Sequence, residues 1–228
     1  MGDRSYESTA TWQDDDFARS WARRDSLRDM LDFPRRIAAA VVAADNPGLD
    51  LVVDIGSGPG DFLVVFLEEF PAVRGVWTDV SMAMLDLAGT RLAEFGGRVE
   101  FQAVDMTDLA AIPDGVALIT TSRATHHLDR AGLLDFYAQA TAHLAPGGWL
   151  VNLDHVGTGD PWNARLRSVR KRFRAPADAT DGQPSHHHNN PLPTAQDHLD
   201  GYAAAGITDV QVVWRAFYTS LFMGRRAS

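Results

Sequence analysis

The sequence has 228 residues, of which 45% are apolar and 22% are charged, as in one ordinary globular domain. This composition excludes a disordered, fibrous or disulfide-stapled chain. The formal net charge of −9 gives no general attraction to nucleic acid or to anionic lipid. Because the chain contains no cysteine, disulfides, nucleophilic thiolates and cysteine-type zinc sites are also excluded.

Hydropathy along the chain predicts its compartment. Residues 1–16 have neither the basic start nor the apolar stretch of a signal peptide. No run approaches the roughly 20 apolar residues that span a bilayer. We therefore expect a cytoplasmic protein that does not contact a membrane.

The N-terminal part of the chain has helical periodicity. Within residues 17–44, apolar side chains recur at mixed spacings of three and four, which predicts two helices broken near Pro34. We assign residues 1–46 to an N-terminal helical flap and residues 47–228 to the core domain.

Strands and helices alternate through the first half of the core. The sequence predicts strands at 51–55, 74–78, 99–104, 116–121 and 149–153, with helices at 62–70, 81–95 and 129–144. Strands separated by helices form βαβ units, so we expect a doubly wound α/β fold with a mostly parallel sheet. Two further runs at 210–215 and 217–223 are too close for a helical crossover and must be antiparallel neighbours.

Residues 157–205 break this alternation and are predicted to form a helical and loop insert that serves as a substrate lid. Its first part is basic and compatible with a helix, and its middle is rich in proline. The cations suit a solvated helix face at least as well as an anionic acceptor, and RNA less well because aromatic residues for stacking bases are sparse there; they are Arg165, Arg167, Arg170, Lys171, Arg172 and Arg174. A polar lid, a solvated loop and a metal site all remain open for His186, His187 and His188.

A glycine-rich turn follows the first predicted strand. Gly56 and Gly58 let the backbone approach a ligand without a Cβ in the way, and Gly60 opens a helix whose amides favour an anion. A dinucleotide pyrophosphate and an amino-acid carboxylate both fit such a turn. However, the spacing is G-x-G-x-G, and Asp54 stands two residues before the first glycine. A carboxylate there repels pyrophosphate and attracts an ammonium, which favours a ligand with an aminocarboxylate end.

Acidic residues also end the next two strands. Asp79 can accept hydrogen bonds from both hydroxyls of a ribose, and Val80 and Met84 can cover one face of an adenine. Asp105 and the Met106 amide can read the adenine edge. A strand-end aspartate can also simply cap a helix, but three on successive strands indicate a nucleoside site.

These motifs resemble those of the class I S-adenosylmethionine-dependent methyltransferases. The matching pieces are VDIGSGPG, TDVSMAML, VDMTDL, ITTSRATHHL and LAPGGWLV. The resemblance implies a seven-stranded sheet whose last strand is inserted antiparallel, with S-adenosylmethionine as cofactor and S-adenosylhomocysteine as product. It also implies that Ser122 and Arg123 lie beside the methionine part of the cofactor. The candidate cofactor-binding residues are Asp54, Gly56, Ser57, Gly58, Gly60, Asp79, Val80, Met84, Asp105, Met106, Ser122 and Arg123.

Histidines follow the fourth and fifth strands and are candidates for a general base. Imidazole titrates near neutral pH, so His127 and His155 are the predicted catalytic residues. A base matters if the acceptor is a hydroxyl, which must lose a proton, and hardly matters if it is a carboxylate. Either histidine can instead have a purely structural role.

We expect methyl transfer to a small-molecule acceptor, at oxygen in preference to nitrogen or carbon. An RNA methyltransferase, a non-catalytic cofactor-binding or scaffold protein and, last, an NAD-dependent dehydrogenase are the alternatives. The expected partner is the small-molecule acceptor; the acidic charge disfavours nucleic acid, no metal is predicted, and a homodimer is left open.

Overall fold

The computed structural model describes residues 9–23, 28–170 and 191–227. The strands of this part of the chain are β1 Leu51–Ile55, β2 Arg74–Asp79, β3 Val99–Ala103, β4 Val116–Ser122, β5 Leu144–His155, β6 Ile207–Ala216 and β7 Thr219–Arg226. The helices are α1 Thr9–Trp12, α2 Asp15–Arg23, α3 Arg28–Asp45, α4 Asp61–Glu69, α5 Met82–Arg91, α6 Arg130–His143, α7 Asp160–Arg170 and α8 Ala195–Ala204. Two 3₁₀ turns, Ala93–Arg98 and Thr125–His127, lie between them.

The seven strands form one sheet in the order β3-β2-β1-β4-β5-β7-β6. The first five pair in parallel, whereas β7 is antiparallel to both β5 and β6. The predicted sheet with its inserted antiparallel strand is therefore confirmed. Strand order reverses between β1 and β4, and a crevice opens at the carboxyl ends of strands at such a point.

Helices cover both faces of the sheet. Val52 and Val53 are adjacent in β1, point to opposite faces and are both fully buried, as expected for a parallel strand inside a doubly wound fold. Val52 packs in a cluster with residues of α3, α4 and α5. Val53 packs in a second cluster with residues of α6 and α8. The sheet is thus fixed from both sides, and its carboxyl edge is a rigid platform.

The predicted helix break near Pro34 is wrong, because Pro34 lies inside α3. A proline inside a helix removes one backbone hydrogen bond and costs about 3 kcal/mol. Side chains on both sides of Pro34 nevertheless form one buried stripe, namely Leu31, Ala38, Ala39 and Val42. Burial of a Leu or Val side chain contributes about 1.5–3 kcal/mol, so the continuous stripe offsets the lost bond.

Two other boundaries differ from the prediction. α5 ends at Arg91 and not near Phe95, because the backbone leaves the α-helical conformation at Leu92, where ψ is 1°, and continues as a 3₁₀ turn from Ala93. β5 begins at Leu144 and not at Trp149, with a register shift against β4. A Cβ on Gly148 would lie 2.9 Å from the Ala145 carbonyl oxygen, so this irregular start of the strand requires glycine.

The predicted insert is described in part. Its basic start forms α7, which carries Arg165 and Arg167, and its end forms α8, which begins with a reciprocal capping box between Thr194 and Asp197. Residues 171–190, with His186, His187 and His188 and half of the basic run, lie outside the described residues. No helix of the described part is both long and apolar enough to cross a membrane.

The structure predicts that replacing glycine with alanine has opposite effects on the free energy of unfolding at two helical positions. A Cβ on Gly201 of α8 would lie 2.8 Å from Tyr137 Cε2 of α6, whereas a Cβ on Gly89 of α5 would meet nothing within 4 Å. We expect Gly201→Ala to lower the free energy of unfolding by about 1–3 kcal/mol through overpacking. Gly89→Ala should raise it by about 0.5–1 kcal/mol, because alanine loses less backbone entropy in a helix. Urea denaturation of both variants measures the effects, and two changes of the same sign would contradict this packing.

Candidate functional site

A cavity opens at the carboxyl ends of β1 to β4, where the sheet reverses its strand order. It brings together ten of the twelve candidate cofactor residues: Gly56, Ser57, Gly58, Asp79, Val80, Met84, Asp105, Met106, Ser122 and Arg123. Asp54 and Gly60 do not line it. Of the two candidate catalytic histidines, His127 lines the cavity and His155 does not.

The glycine-rich turn brings backbone to the cavity wall. Gly56 has a φ of 61°, and a Cβ there would lie 2.8 Å from the Cβ of Ala124. Gly58 has a φ of 55°, and a Cβ there would point into open space. Gly56 is therefore needed for close packing between two strand ends, whereas Gly58 leaves a concave surface that a ligand can fill.

Asp54 supports this turn from below. Its carboxylate is fully buried and accepts hydrogen bonds from Ser57 Oγ at 2.5 Å and from Thr120 Oγ1 at 2.7 Å. Burial raises the pKa of Asp54 to about 6, although both hydroxyls favour the ionised form. An interaction of Asp54 with a ligand's ammonium stays a prediction; what the geometry gives is a tie between β1, its turn and β4.

Asp79 both holds the turn and faces the cavity. One carboxylate oxygen accepts from the Gly58 amide at 2.9 Å, and the other accepts from the Ser81 amide, also at 2.9 Å. Trp77 Nε1 donates to the Gly58 carbonyl at 2.8 Å. Burial raises the pKa of Asp79. Each carboxylate oxygen has a further acceptor site, so Asp79 can also bind two ligand hydroxyls.

The end of β3 forms a polar edge beside an apolar slot. Asp105 Oδ1 accepts from the amide and the hydroxyl of Thr107, at 2.9 Å and 2.8 Å. These two bonds fix the carboxyl group at the cavity wall. Val80, Met84 and Met106 line the same cavity and give it apolar surface against which a flat ring can pack.

The cavity also contains residues that the sequence did not single out, namely Trp12, Arg35, Asp61 and Phe62. Asp61 directly follows the glycine-rich turn, so its position was available as a signal. Trp12 and Arg35 belong to α1 and α3 and lie far from the motifs in the sequence. The sequence around them does not indicate that they line the cavity, because only tertiary packing brings the N-terminal helices to the carboxyl edge of the sheet.

The consecutive histidines of the second 3₁₀ turn lie side by side but have different partners. His126 Nδ1 lies 2.5 Å from the buried Asp154, whereas His127 reaches the cavity between His126 and Trp12, at centroid distances of 4.1 Å and 5.6 Å. His155 Nδ1 is 2.9 Å from Thr219 Oγ1. Its predicted catalytic role stays a prediction.

Asp154 organises the loops on this side of the cavity. It is fully buried and accepts from Thr125 Oγ1 at 2.6 Å, from the His126 amide at 2.8 Å and from the His155 amide at 2.7 Å. Burial disfavours its charge, but the neighbouring His126, His155 and His198 outweigh burial, so the pKa of Asp154 is lowered. The position of His127 is thus fixed through its neighbours.

Arg123 follows β4 in a conformation that side chains rarely adopt. Its φ is 54°, and its amide donates to the Leu153 carbonyl at 3.0 Å. Such a backbone costs about 1–3 kcal/mol and is kept where the surroundings determine it. Here it places a cation at the cavity wall. Among the described residues, no cluster of three or more histidine or acidic side chains is arranged to hold a metal ion.

The raised pKa of Asp54 predicts how stability depends on pH. The folded chain holds the Asp54 proton up to pH about 6, whereas the unfolded chain loses it near 3.8. Stability from this group is therefore complete below pH 3.8 and is lost as pH rises through 6. Asp54→Asn is neutral throughout, so its stability relative to the wild type should rise by on the order of 3 kcal/mol between pH 4 and 7.

Urea titrations across this pH range test the effect. A difference in the free energy of unfolding between Asp54→Asn and the wild type that does not change with pH reports the altered hydrogen bonds. A difference that grows with pH reports the charge of Asp54. Asp50→Asn, at an exposed position just before the same strand, is the control and should follow the wild type. Parallel curves for Asp54→Asn and the wild type would contradict the burial argument.

Comparison with known proteins agrees with this geometry. Residues 52–148 match the family model described as a methyltransferase domain. Trans-aconitate 2-methyltransferase of Azoarcus sp. strain BH72 is 32% identical over 183 residues, which cover 74% of this chain and 65% of that protein. Ribosomal RNA large subunit methyltransferase E of Bordetella avium is 32% identical over 144 residues, covering 55% of this chain and 62% of that protein.

A solved structure shares the fold at lower sequence identity. Human N-acetylserotonin methyltransferase in complex with S-adenosylmethionine superposes with a TM-score of 0.67 and 16% identity, over 96% of this chain and 59% of that one. The chain spans between about a third and two thirds of the length of the curated relatives it matches. Residues 52–148 therefore belong to the methyltransferase domain family, and the sheet order and the shared fold extend this likeness to the strands that follow.

Proposed function

We propose that the chain binds S-adenosylmethionine in this cavity and transfers its methyl group to an oxygen atom of a small-molecule acceptor, releasing S-adenosylhomocysteine. One observation carries the proposal. The glycine-rich turn of β1, Asp79 of β2 and Asp105 of β3 line the same cavity, and His127 lines it too. Donor-binding groups and a base are thereby within one site.

The residues that line the cavity suit the ribose and the adenine of the cofactor. Asp79 would accept hydrogen bonds from the two ribose hydroxyls, and Asp105 with the Met106 amide would hold the adenine edge. The apolar slot of Val80 and Met84 would cover the ring. When bound, S-adenosylmethionine supplies a methyl group on a positively charged sulfur, which a nucleophile can displace.

The protein's contribution to such a displacement is alignment, exclusion of water and handling of one proton. His127 is the described histidine that lines the cavity, and it would accept the proton of an acceptor hydroxyl. His126 and Asp154 would keep it in position through the loop. Trp12, in edge contact with His127, would exclude water from the N-terminal side.

The relatives support a small acceptor without naming it. The Azoarcus relative is, by its name, a methyltransferase of trans-aconitate, which is a small molecule. The Bordetella relative acts, by its name, on ribosomal RNA and keeps the RNA alternative open. Arg165 and Arg167 of α7 stack on Trp162 and Tyr218, at 5.1 Å and 5.3 Å from the ring centroids. With a net charge of −9, a small acceptor remains the better fit.

The donor assignment predicts a specific pattern of binding. By calorimetry, S-adenosylhomocysteine should bind the wild type, and NAD should not. Asp79→Ala should weaken binding by about 1–3 kcal/mol, the cost typical of losing hydrogen bonds to a charged group. Asp50→Ala removes an exposed carboxylate away from the cavity and should bind as the wild type does. Binding of NAD without S-adenosylhomocysteine would overturn the proposal.

The base assignment predicts different effects for two histidines. For a hydroxyl acceptor, identified by the mass shift of one labelled methyl group in a metabolite extract, His127→Gln should lower kcat about 10²- to 10⁴-fold. Its affinity for S-adenosylhomocysteine should change less than about twofold. His155→Gln, outside the cavity, is the matched control and should retain most of the activity. If His155→Gln lost more activity than His127→Gln, the base would be assigned to His155. Transfer of the labelled methyl group to ribosomal RNA would favour the RNA alternative.

A further inference from the structure

A buried cation of the N-terminal helices faces the cavity. Arg35 belongs to α3, outside the sheet, yet its side chain is only 4% exposed and lines the cavity beside the glycine-rich turn. A guanidinium removed from water loses much of its hydration, and this cost is recovered only through anionic partners or hydrogen bonds. What compensates Arg35 therefore bears on what the cavity binds.

Asp61 is one anionic partner of Arg35 within the protein. Arg35 Nη1 lies 3.9 Å from Asp61 Oδ2, which is at the long end for an ion pair. The other oxygen of Asp61 is 2.9 Å from Arg91 Nε of α5. Asp61 thus serves two guanidinium groups and is closer to Arg91. A guanidinium has five donors in a planar fork, enough for more than one carboxylate, and Arg35 lines the cavity as well as contacting Asp61.

The chemistry of the cofactor selects one group for this position. In S-adenosylmethionine the adenosine is neutral, the sulfur and the ammonium are cationic, and the carboxylate is the sole anion. Asp79 and Asp105 line the part of the cavity at β2 and β3, whereas Arg35 lines it together with Asp61 of α4 and the turn after β1. A ligand that places its ribose at Asp79 would extend its amino-acid end along this turn.

We propose that Arg35 binds the carboxylate of the cofactor's amino-acid end, so that helix α3 of the flap forms part of the donor site. The inference rests on the proposed function and extends it to a residue outside the glycine-rich and acidic motifs. It makes cofactor binding depend on the docking of α3 against α4. S-adenosylhomocysteine carries the same carboxylate, so Arg35 binds donor and product alike.

Three ligands that differ in one group test the assignment in binding experiments without an acceptor. S-adenosylhomocysteine has the carboxylate, S-adenosyl-3-thiopropylamine lacks it but keeps the ammonium, and 5′-methylthioadenosine lacks both. Arg35→Met should weaken binding of S-adenosylhomocysteine about 10- to 100-fold, as expected for a charge-assisted hydrogen-bonded pair. The affinities of the other two ligands should change less than about twofold.

Arg91→Met is the matched control, because Arg91 contacts the same Asp61 but does not line the cavity. It should leave the affinity for S-adenosylhomocysteine within about threefold of the wild type. If Arg35→Met does not fold, Arg35→Lys keeps the charge without the fork and should still show a loss confined to S-adenosylhomocysteine.

The outcomes separate this inference from the proposed function. Equal losses for all three ligands would make Arg35 a structural residue and overturn the inference, as would unchanged binding of S-adenosylhomocysteine. A loss shared by S-adenosylhomocysteine and S-adenosyl-3-thiopropylamine but not by 5′-methylthioadenosine would assign Arg35 to the ammonium side and also overturn it. Failure of the wild type to bind S-adenosylhomocysteine would instead overturn the proposed function itself.

Discussion

Two carboxylates, the buried Asp54 and the half-buried Asp79, hold the turn on which the whole cavity depends. Asp54 joins β1 to its turn through Ser57 and to β4 through Thr120, while Asp79 joins the same turn to β2 through the Gly58 amide. Burial of these acids is costly, as their raised pKa values indicate. The cost is tolerated because the hydrogen bonds fix three strand ends against one another, and a rigid turn can present its backbone to a ligand without reorganising.

The distribution of charge around the cavity fits a zwitterionic nucleoside better than a dinucleotide. Asp79 and Asp105 stand where a pyrophosphate-bearing ligand would place its sugars, and Asp61 begins the helix whose amides would otherwise favour phosphate. Arg35 and Arg123 bring positive charge to the same wall. Opposite charges in one cavity match a ligand that carries an ammonium, a carboxylate and a cationic sulfur, whereas the phosphates of a dinucleotide would meet the carboxylate of Asp61 at the start of that helix.

The sequence was sufficient to predict the sheet and much of the lining of the cavity, because parallel strands in register bring their carboxyl ends to one edge. Asp79 and Asp105 needed no more than a correct count of strands. Arg35 and Trp12 could not be found in this way, since they come from helices whose docking is decided by distant apolar contacts. His127 and His155 were indistinguishable in sequence, and only side-chain direction separates them. The predicted helix break near Pro34 was wrong because the low helix propensity of proline was considered without the buried apolar stripe of α3.

In the proposed function, donor and acceptor recognition would take place at different distances from the sheet. The donor site is built on strand ends, and changes there would disturb the carboxylates that hold the turn. Trp12, in contrast, comes from the short helix α1 and touches the ring of His127 directly. The N-terminal helices can therefore alter the surroundings of the proposed base without disturbing Asp54 or Asp79. Such an arrangement would let one donor site serve different acceptors, and it gives a physical reason why motifs for the cofactor contain no information about the molecule that is methylated.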